Sequence, residues 1–255
     1  HILLGDEEFE DGKTITPDEI YSWSDEHKTT PKTSAPSLAE TIELFRPYVE
    51  EGCEIVCFSI SNSMSTSGNV MRLAAGELEA ENRITVIDSA NLSTGIGLLV
   101  VEAAIMAKNG HSASEIASVM ETLKPNVRAS FVVDTLTYLY RGGRCNAVAA
   151  MAGGVLKLHP KIVVENGAMD ATKKYRGKIN SVIMSYVKDM EEDLKSARPE
   201  RVFITHSGCD AATVESVRSY LESLGVFHEI LETRAGGVVS SHCGPGTLGV
   251  LFIAK

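Results

Sequence analysis

Along the first half of the chain the apolar positions change period at regular intervals. Leu38, Ile42, Phe45 and Val49 recur at three- and four-residue steps, the stripe of an amphipathic helix. Glu54 to Ile60 is then a short β-favouring run bounded by turn residues, which predicts a buried strand. A serine-rich loop, Ser61 to Gly68, leads into a helix from about Asn69. Ile84 to Asp88 predicts a second strand, Ser89 to Gly97 a second polar loop, and Leu98 the start of an apolar helix. Ser112-Ala113-Ser114-Glu115 is a capping box, with Ile116, Val119, Met120 and Leu123 on one face of the helix it opens. Nearer the start, His1 to Gly12 reads as a strand and acidic turn. Thr16-Pro17-Asp18-Glu19 is a further capping box with proline at the first helical position, opening a helix through Tyr21 and Trp23. Strands and helices alternating at this spacing predict an α/β domain with a mostly parallel sheet.

Beyond Pro125 the order changes. Ala129 to Val133 predicts a strand, followed by a short helix to Tyr140 that Arg141-Gly142-Gly143-Arg144 ends. Ala147 to Leu158 is almost wholly apolar and predicts a buried helix. Lys161 to Asp170 predicts a hairpin turning at Asn166-Gly167. A long helix, Lys178 to Ala197, precedes a strand at Val202 to Thr205, a helix marked by Val214, Val217, Leu221 and Leu224, and two closing strands. The expected layout is two domains: 1–124, α/β, and 125–255, mixed α+β.

A length of 255 residues fits two modest domains at roughly 100–200 residues each. Hydrophobic content of 44% supports a real core. The net charge of −10 argues against a general nucleic-acid or anionic-membrane surface, since both need clustered lysine and arginine. Five scattered cysteines form no disulfide framework, no CxxC pair and no metal clip, and free thiols in a reducing cytosol are expected. No apolar run reaches the ~20 residues that span a bilayer. No metal and no cofactor is expected.

Candidate chemistry lies in the loops. In Thr33-Ser34-Ala35-Pro36-Ser37, Ser37 is placed to cap the next helix, leaving Thr33 and Ser34 for a cleft. The loop carrying Ser63, Ser65, Thr66 and Ser67 follows a strand and precedes a helix, where an open α/β sheet binds ligands and free N–H groups favour an anion. It has no Lys, no Arg and no GxxxxGK, so one carboxylate or phosphate suits it better than a nucleotide triphosphate. Ser93-Thr94-Gly95-Ile96-Gly97 holds part of a dinucleotide fingerprint, but position 100 is valine, and tight helix–strand packing explains it as well. Asp88 is a candidate acid or base, or a turn cap. Arg176 stands in a basic patch. Gly236 to Thr247, with Gly244, Pro245 and Gly246, is either a turn with a solvent-facing histidine or a loop that lets a ligand approach main-chain N–H groups beside His242.

Taken in order, the TSxPS-type loop at Thr33 to Ser37, the serine loop, Val86-Ile87-Asp88-Ser89, Thr135 to Leu139 running into Gly142-Gly143-Arg144, and the His-x-Gly-Pro-Gly-Thr end at His242 to Thr247 resemble the DegV family of bacterial fatty-acid-binding proteins. The resemblance covers essentially the whole chain. It implies two domains with a long-chain fatty acid in the cleft between them, the acyl chain in an apolar tunnel. Carried over by residue, the carboxylate contacts would be Thr33 and Ser65, with Arg176 and His242 near the head group. Ser34, Ser63, Thr66, Ser67, Ser93, Gly95, Gly244 and Thr247 are the further pocket-lining candidates.

The same resemblance implies a carrier with no catalysis of its own. It would present the bound acid to a separate ATP-dependent fatty acid kinase subunit, whose acyl phosphate enters phospholipid synthesis. Two departures stand out. The family's Ser-Gly-Thr-Tyr is here Ser65-Thr66-Ser67-Gly68, and the family's opening strand and Asp-Ser turn would precede His1. Two other readings compete: a small-molecule hydrolase or phosphotransferase using Ser65 and His242, and a regulatory interaction protein with a vestigial pocket.

Overall fold

In the computed structural model, which describes residues 1–145 and 158–255, three capping boxes open helices where the sequence places them. Thr16 starts α1 (Pro17–His27), Ser37 starts α2 (Leu38–Glu50) and Ser112 starts α5 (Ala113–Leu123). In each, the hydroxyl accepts from the third helical N–H while the glutamate at that position reaches back to the cap's own N–H. The chain divides into two units. One comprises residues 34–127 with 166–168; the other comprises 1–33, 128–165 and 169–255.

The 34–127 unit is built on β4 (Ile55–Ser59) and β5 (Ile84–Asp88), which pair in parallel with Ile55 opposite Ile84 and Ser59 opposite Asp88. Helices α2 and α3 (Ser67–Glu77) bury Phe45, Val49, Ala74 and Ala75 against Ile84, with Ile55 and Cys57 packed beside them. Helices α4 (Thr94–Lys108) and α5 complete the unit, with Leu98, Leu99, Ile116 and Met120 buried. Strand β4 is less enclosed than expected: Ile55 to Phe58 are only half-buried, because β5 is its one hydrogen-bonded neighbour among the described residues. Helix α4 starts at Thr94 rather than Leu98. Gly95, Ile96 and Gly97 donate backbone hydrogen bonds to Leu92 and Ser93 carbonyls, so the glycines form its first turn instead of the preceding loop.

Among the described residues the larger unit holds two sheets. Its six-stranded sheet runs β10-β9-β11-β6-β7-β8, from β6 (Val127–Val132), β7 (Leu158–Glu165), β8 (Ala168–Arg176), β9 (Ala197–His206), β10 (Glu229–Arg234) and β11 (Leu248–Ala254). Strand β9 runs parallel to β10 and antiparallel to β11, and β6 runs antiparallel to β7. The mixed directions bear out the α+β reading of this half. Helices α7 (Ile179–Lys188) and α9 (Ala211–Ser223) bury Val182, Ile183, Tyr186, Val187, Val214, Val217 and Leu221 against Val202, Ile204, Val250 and Phe252. The wholly buried Tyr186 hydroxyl donates to the Ser130 carbonyl at 2.7 Å and accepts from the Val250 N–H at 3.0 Å. His159, also buried, has Nδ1 3.0 Å from the Val133 carbonyl oxygen and Nε2 3.1 Å from that of Gly177.

A three-stranded sheet, β2-β1-β3, uses β1 (Ile2–Leu4), β2 (Glu7–Phe9) and β3 (Lys32–Thr33). Ile2, Leu4, Ile15, Ile20 and Tyr21 close a small core with Tyr138 of α6 (Thr137–Gly142). Residues 1–33 therefore pack with the later part of the chain, unlike the 1–124 and 125–255 division read from sequence. The cause is α10 (Gly237–Cys243), a helix where a glycine-rich turn was expected. Its first N–H groups, of Gly237 and Val238, donate to the Asp11 carboxylate at 2.6 and 2.9 Å.

The expected helix from Lys178 to Ala197 is two, α7 and α8 (Glu191–Lys195). The break falls at Asp189, whose carboxylate takes Lys173 Nζ and the Tyr175 hydroxyl, and β9 then begins at Ala197. The apolar run expected as a helix from Ala147 lies outside the described residues up to its end, where Leu158 opens β7.

Candidate functional site

Thr33 ends β3 and His242 lies in the last turn of α10, and their side chains meet: Thr33 Oγ1 is 2.7 Å from His242 Nε2. His242 Nδ1 is buried with no hydrogen-bond partner among the described residues. The imidazole fits because position 142 is glycine; a Cβ there would collide with Nδ1. Burial, reinforced by the Arg144 guanidinium, lowers the His242 pKa to about 4. The ring is neutral at physiological pH, a polar hydrogen-bonding group without charge.

The Gly-Pro-Gly segment after α10 serves the backbone. Gly244 (φ +75°) and Gly246 (φ +73°) take left-handed conformations, and a Cβ at Gly244 would lie 2.6 Å from the Tyr138 ring. Thr247 is buried, with its hydroxyl donating to the Cys243 carbonyl. Arg176 ends β8, exposed, and makes no hydrogen bond or ion pair with Thr33 or His242.

In the 34–127 unit the serine loop has its own geometry. The Ser65 and Ser67 hydroxyls are 2.8 Å apart, and the Ser67 N–H donates to Ser65 Oγ at 3.2 Å. Ser63 and Thr66 are exposed, and Thr66 caps α3 by position without a side-chain hydrogen bond. The loop lies at the carboxyl end of β4, where an open α/β sheet presents ligand-binding backbone. Beside it, Ser93 precedes α4 at φ +50°, ψ −135°, and Ala90 has φ +49°. Non-glycine residues held in the left-handed region store strain of the kind that clusters at binding sites. Gly95 is required by packing, since a Cβ would collide with the Asn91 amide. Ser34 is exposed.

Asp88 caps a turn: its Oδ1 accepts from the Ala90 N–H at 2.9 Å. Ser61, Gly142 and Asp11 were not marked by sequence as parts of this chemistry. Their roles depend on partners distant in the chain, and only the Arg-Gly-Gly-Arg and Asn-Gly motifs hinted at backbone constraints. Among the described residues no three or more His, Cys, Asp or Glu side chains gather as a metal would need, and no helix is long and apolar enough to cross a membrane.

The family model described as "Uncharacterised protein, DegV family" matches residues 1–255. A DegV domain-containing protein of Caldanaerobacter subterraneus subsp. tengcongensis is 30% identical over 259 residues, covering 100% of this chain and 89% of that protein. A solved DegV family protein from Thermus thermophilus, described by its fatty acid binding, superposes with a TM-score of 0.88 at 29% identity, over 100% of this chain and 90% of its own. A stearic acid-binding protein from Eubacterium ventriosum superposes with a TM-score of 0.81 at 30% identity, over 96% and 85% respectively. The mixed α/β architecture, the ordered motifs and these matches agree: the chain belongs to the DegV family.

Proposed function

We propose that this protein binds a long-chain fatty acid, with Thr33, Ser65, Arg176 and His242 serving its carboxylate. The observation that carries this reading is the neutral, desolvated His242 hydrogen-bonded to Thr33. It stands in a chain whose fold matches the Thermus thermophilus fatty-acid-binding protein with a TM-score of 0.88. Hydroxyl and imidazole donors hold a carboxylate without a full counter-charge. Arg176 adds charge complementarity, and the neutral imidazole contributes a hydrogen-bonding group without charge. Most of the affinity comes from the tail: each buried CH₂ contributes about 0.8 kcal/mol, so a long acyl chain supplies on the order of 10 kcal/mol.

Ser34, Ser63, Thr66, Ser67 and Ser93 line the same site on this reading, and Gly95, Gly244 and Thr247 shape its backbone. The protein acts as a carrier: it presents the carboxylate to a separate ATP-dependent fatty acid kinase subunit for acyl-phosphate formation, in the cytoplasm. The reading is favoured over a serine hydrolase because the Ser65 hydroxyl is paired with another hydroxyl, Ser67, whereas a nucleophile needs a general base hydrogen-bonded to it.

The test is mass spectrometry of the organic extract from natively purified protein. Fatty acid near one equivalent is the expected result. A protein that carries none and takes up neither oleate nor palmitate overturns the reading. Transfer of phosphate to bound acid by a fatty acid kinase and ATP, absent with either protein alone, is the expected result for the carrier step.

A further inference from the structure

Every polar atom of Ser61 is used, and its partners come from three segments. Its N–H donates to the Asn91 carbonyl at 2.9 Å. Its own carbonyl accepts from Met64 and Ser65 at 2.9 and 3.1 Å. Its hydroxyl donates to the Gly167 carbonyl at 2.6 Å and accepts from the Ser63 N–H at 3.2 Å. The side chain is 1% exposed, so each of these bonds replaces one that water cannot restore. The Gly167 partner is the tip of the β7–β8 hairpin, residues 166–168, which group with the 34–127 unit. Glycine suits position 167, because its φ is +80° and a Cβ would stand 2.7 Å from Ser61 Oγ and 3.6 Å from Ser63 Oγ, so any side chain there is strained and pushes on the Ser61 hydroxyl.

The chain of bonds runs from the hairpin tip through Ser61 to the Ser65 N–H, and from there to the Ser65–Ser67 hydroxyl pair. We infer that Ser61 and Gly167 are positioning residues for the Ser65 hydroxyl: the turn sets where the serine loop presents its donor to the ligand head group. This rests on the fatty-acid reading above. It assigns a ligand-affinity role to a hairpin turn that lies about a hundred residues from the loop it orients.

The test is a double-mutant cycle on oleate affinity with the full chain, using Ser61→Ala, Ser65→Ala and both together. A residue acting through Ser65 has no effect once the Ser65 hydroxyl is gone. Ser61→Ala is expected to weaken oleate binding about tenfold, the loss carried by one ordinary hydrogen bond, and to weaken it no further in the Ser65→Ala background. Ser61→Thr, which keeps the hydroxyl, restores affinity. Independent, additive losses, or full affinity in Ser61→Ala where Ser65→Ala loses it, overturn the positioning role and leave the fatty-acid reading intact. No oleate binding by the native chain, or full affinity in Ser65→Ala, overturns the head-group reading itself and this inference with it.

A second measurement covers the case in which Ser61→Ala does not fold. Gly167→Ala pushes on the same hydroxyl from the hairpin side, and hydrogen exchange at the Met64 and Ser65 amides reports the result. Faster exchange at those two amides, with α2 and α5 protected as before, is the expected outcome; unchanged exchange overturns the inference.

Discussion

Thr33 Oγ1 lies 2.7 Å from His242 Nε2 although 209 positions separate the two residues. Thr33 closes a two-residue strand and His242 lies in the last turn of a seven-residue helix, so neither element is stable alone. The pair exists because Asp11 starts that helix and β1 pairs with β3, which brings both residues to one place.

Thr33→Val removes the hydroxyl at nearly constant volume and leaves His242 with neither ring nitrogen paired among the described residues. A buried polar atom without a partner costs about 1–3 kcal/mol. Urea denaturation is expected to show that loss, and oleate affinity is expected to fall with it. An unchanged unfolding midpoint would show the hydrogen bond to be energetically silent.

Stability should fall in mild acid through His242. A histidine in an unfolded chain titrates near 6.5, whereas burial and then Arg144 hold His242 at about 4. Between those values the unfolded chain takes up a proton that the folded protein refuses, so stability is full above the upper value and declines as pH drops toward the lower. Each pH step of one between the two values is worth about 1.36 kcal/mol, so the whole decline amounts to about 3 kcal/mol. Urea midpoints at several pH values between neutrality and 4 measure it, and His242→Gln is expected to flatten this part of the profile.

Asp11→Ala should unravel the start of α10 and expose Tyr21 and Ile20. The carboxylate accepts two of the helix's unpaired N–H groups and complements its dipole, together about 2 kcal/mol. Asp11→Asn keeps an acceptor without the charge and should retain part of that. Thermal unfolding of the three proteins orders them native, Asn, Ala; the reverse order for Asn and Ala would remove the carboxylate from the helix's support.

Thiol reagents should react slowly with Cys57, Cys209 and Cys243. Burial pushes Cys57 up to about 11 and the other two up to about 12, so their thiolate fraction at neutral pH is negligible. Mass-mapped maleimide labelling of native protein checks this, and rapid modification of Cys243 would contradict the packing around α10.

What the sequence made legible is what neighbours in sequence decide. The boxes at Thr16, Ser37 and Ser112 each close over four residues, and Asn166 and Gly167 at φ +50° and +80° form the hairpin turn their identities predict. Helix α10 escaped notice because its cap, Asp11, stands 226 positions before Gly237. The break at Asp189 falls where its carboxylate meets Lys173 and Tyr175 of β8, and no local pattern records those contacts. At the site the individual residues Thr33 and His242 were visible, but not their bond, nor the bare Gly142 that lets the ring stand where it does. Ser61 read as one serine among several, since its importance lies wholly in what its atoms touch.

The division of the chain also orders events during synthesis. Residues 34–127 emerge as a continuous block, complete but for the three-residue turn at 166–168, and can begin to collapse while translation continues. Helix α1 and the three short strands leave the ribosome before them yet must wait for α10, which is made long after both. A nascent chain stalled near residue 130 would carry a nearly finished middle and a 1–33 arm with its apolar residues, Ile2, Ile15 and Ile20, still uncovered. That arm is where a chaperone would find this protein, and where a truncated product would aggregate.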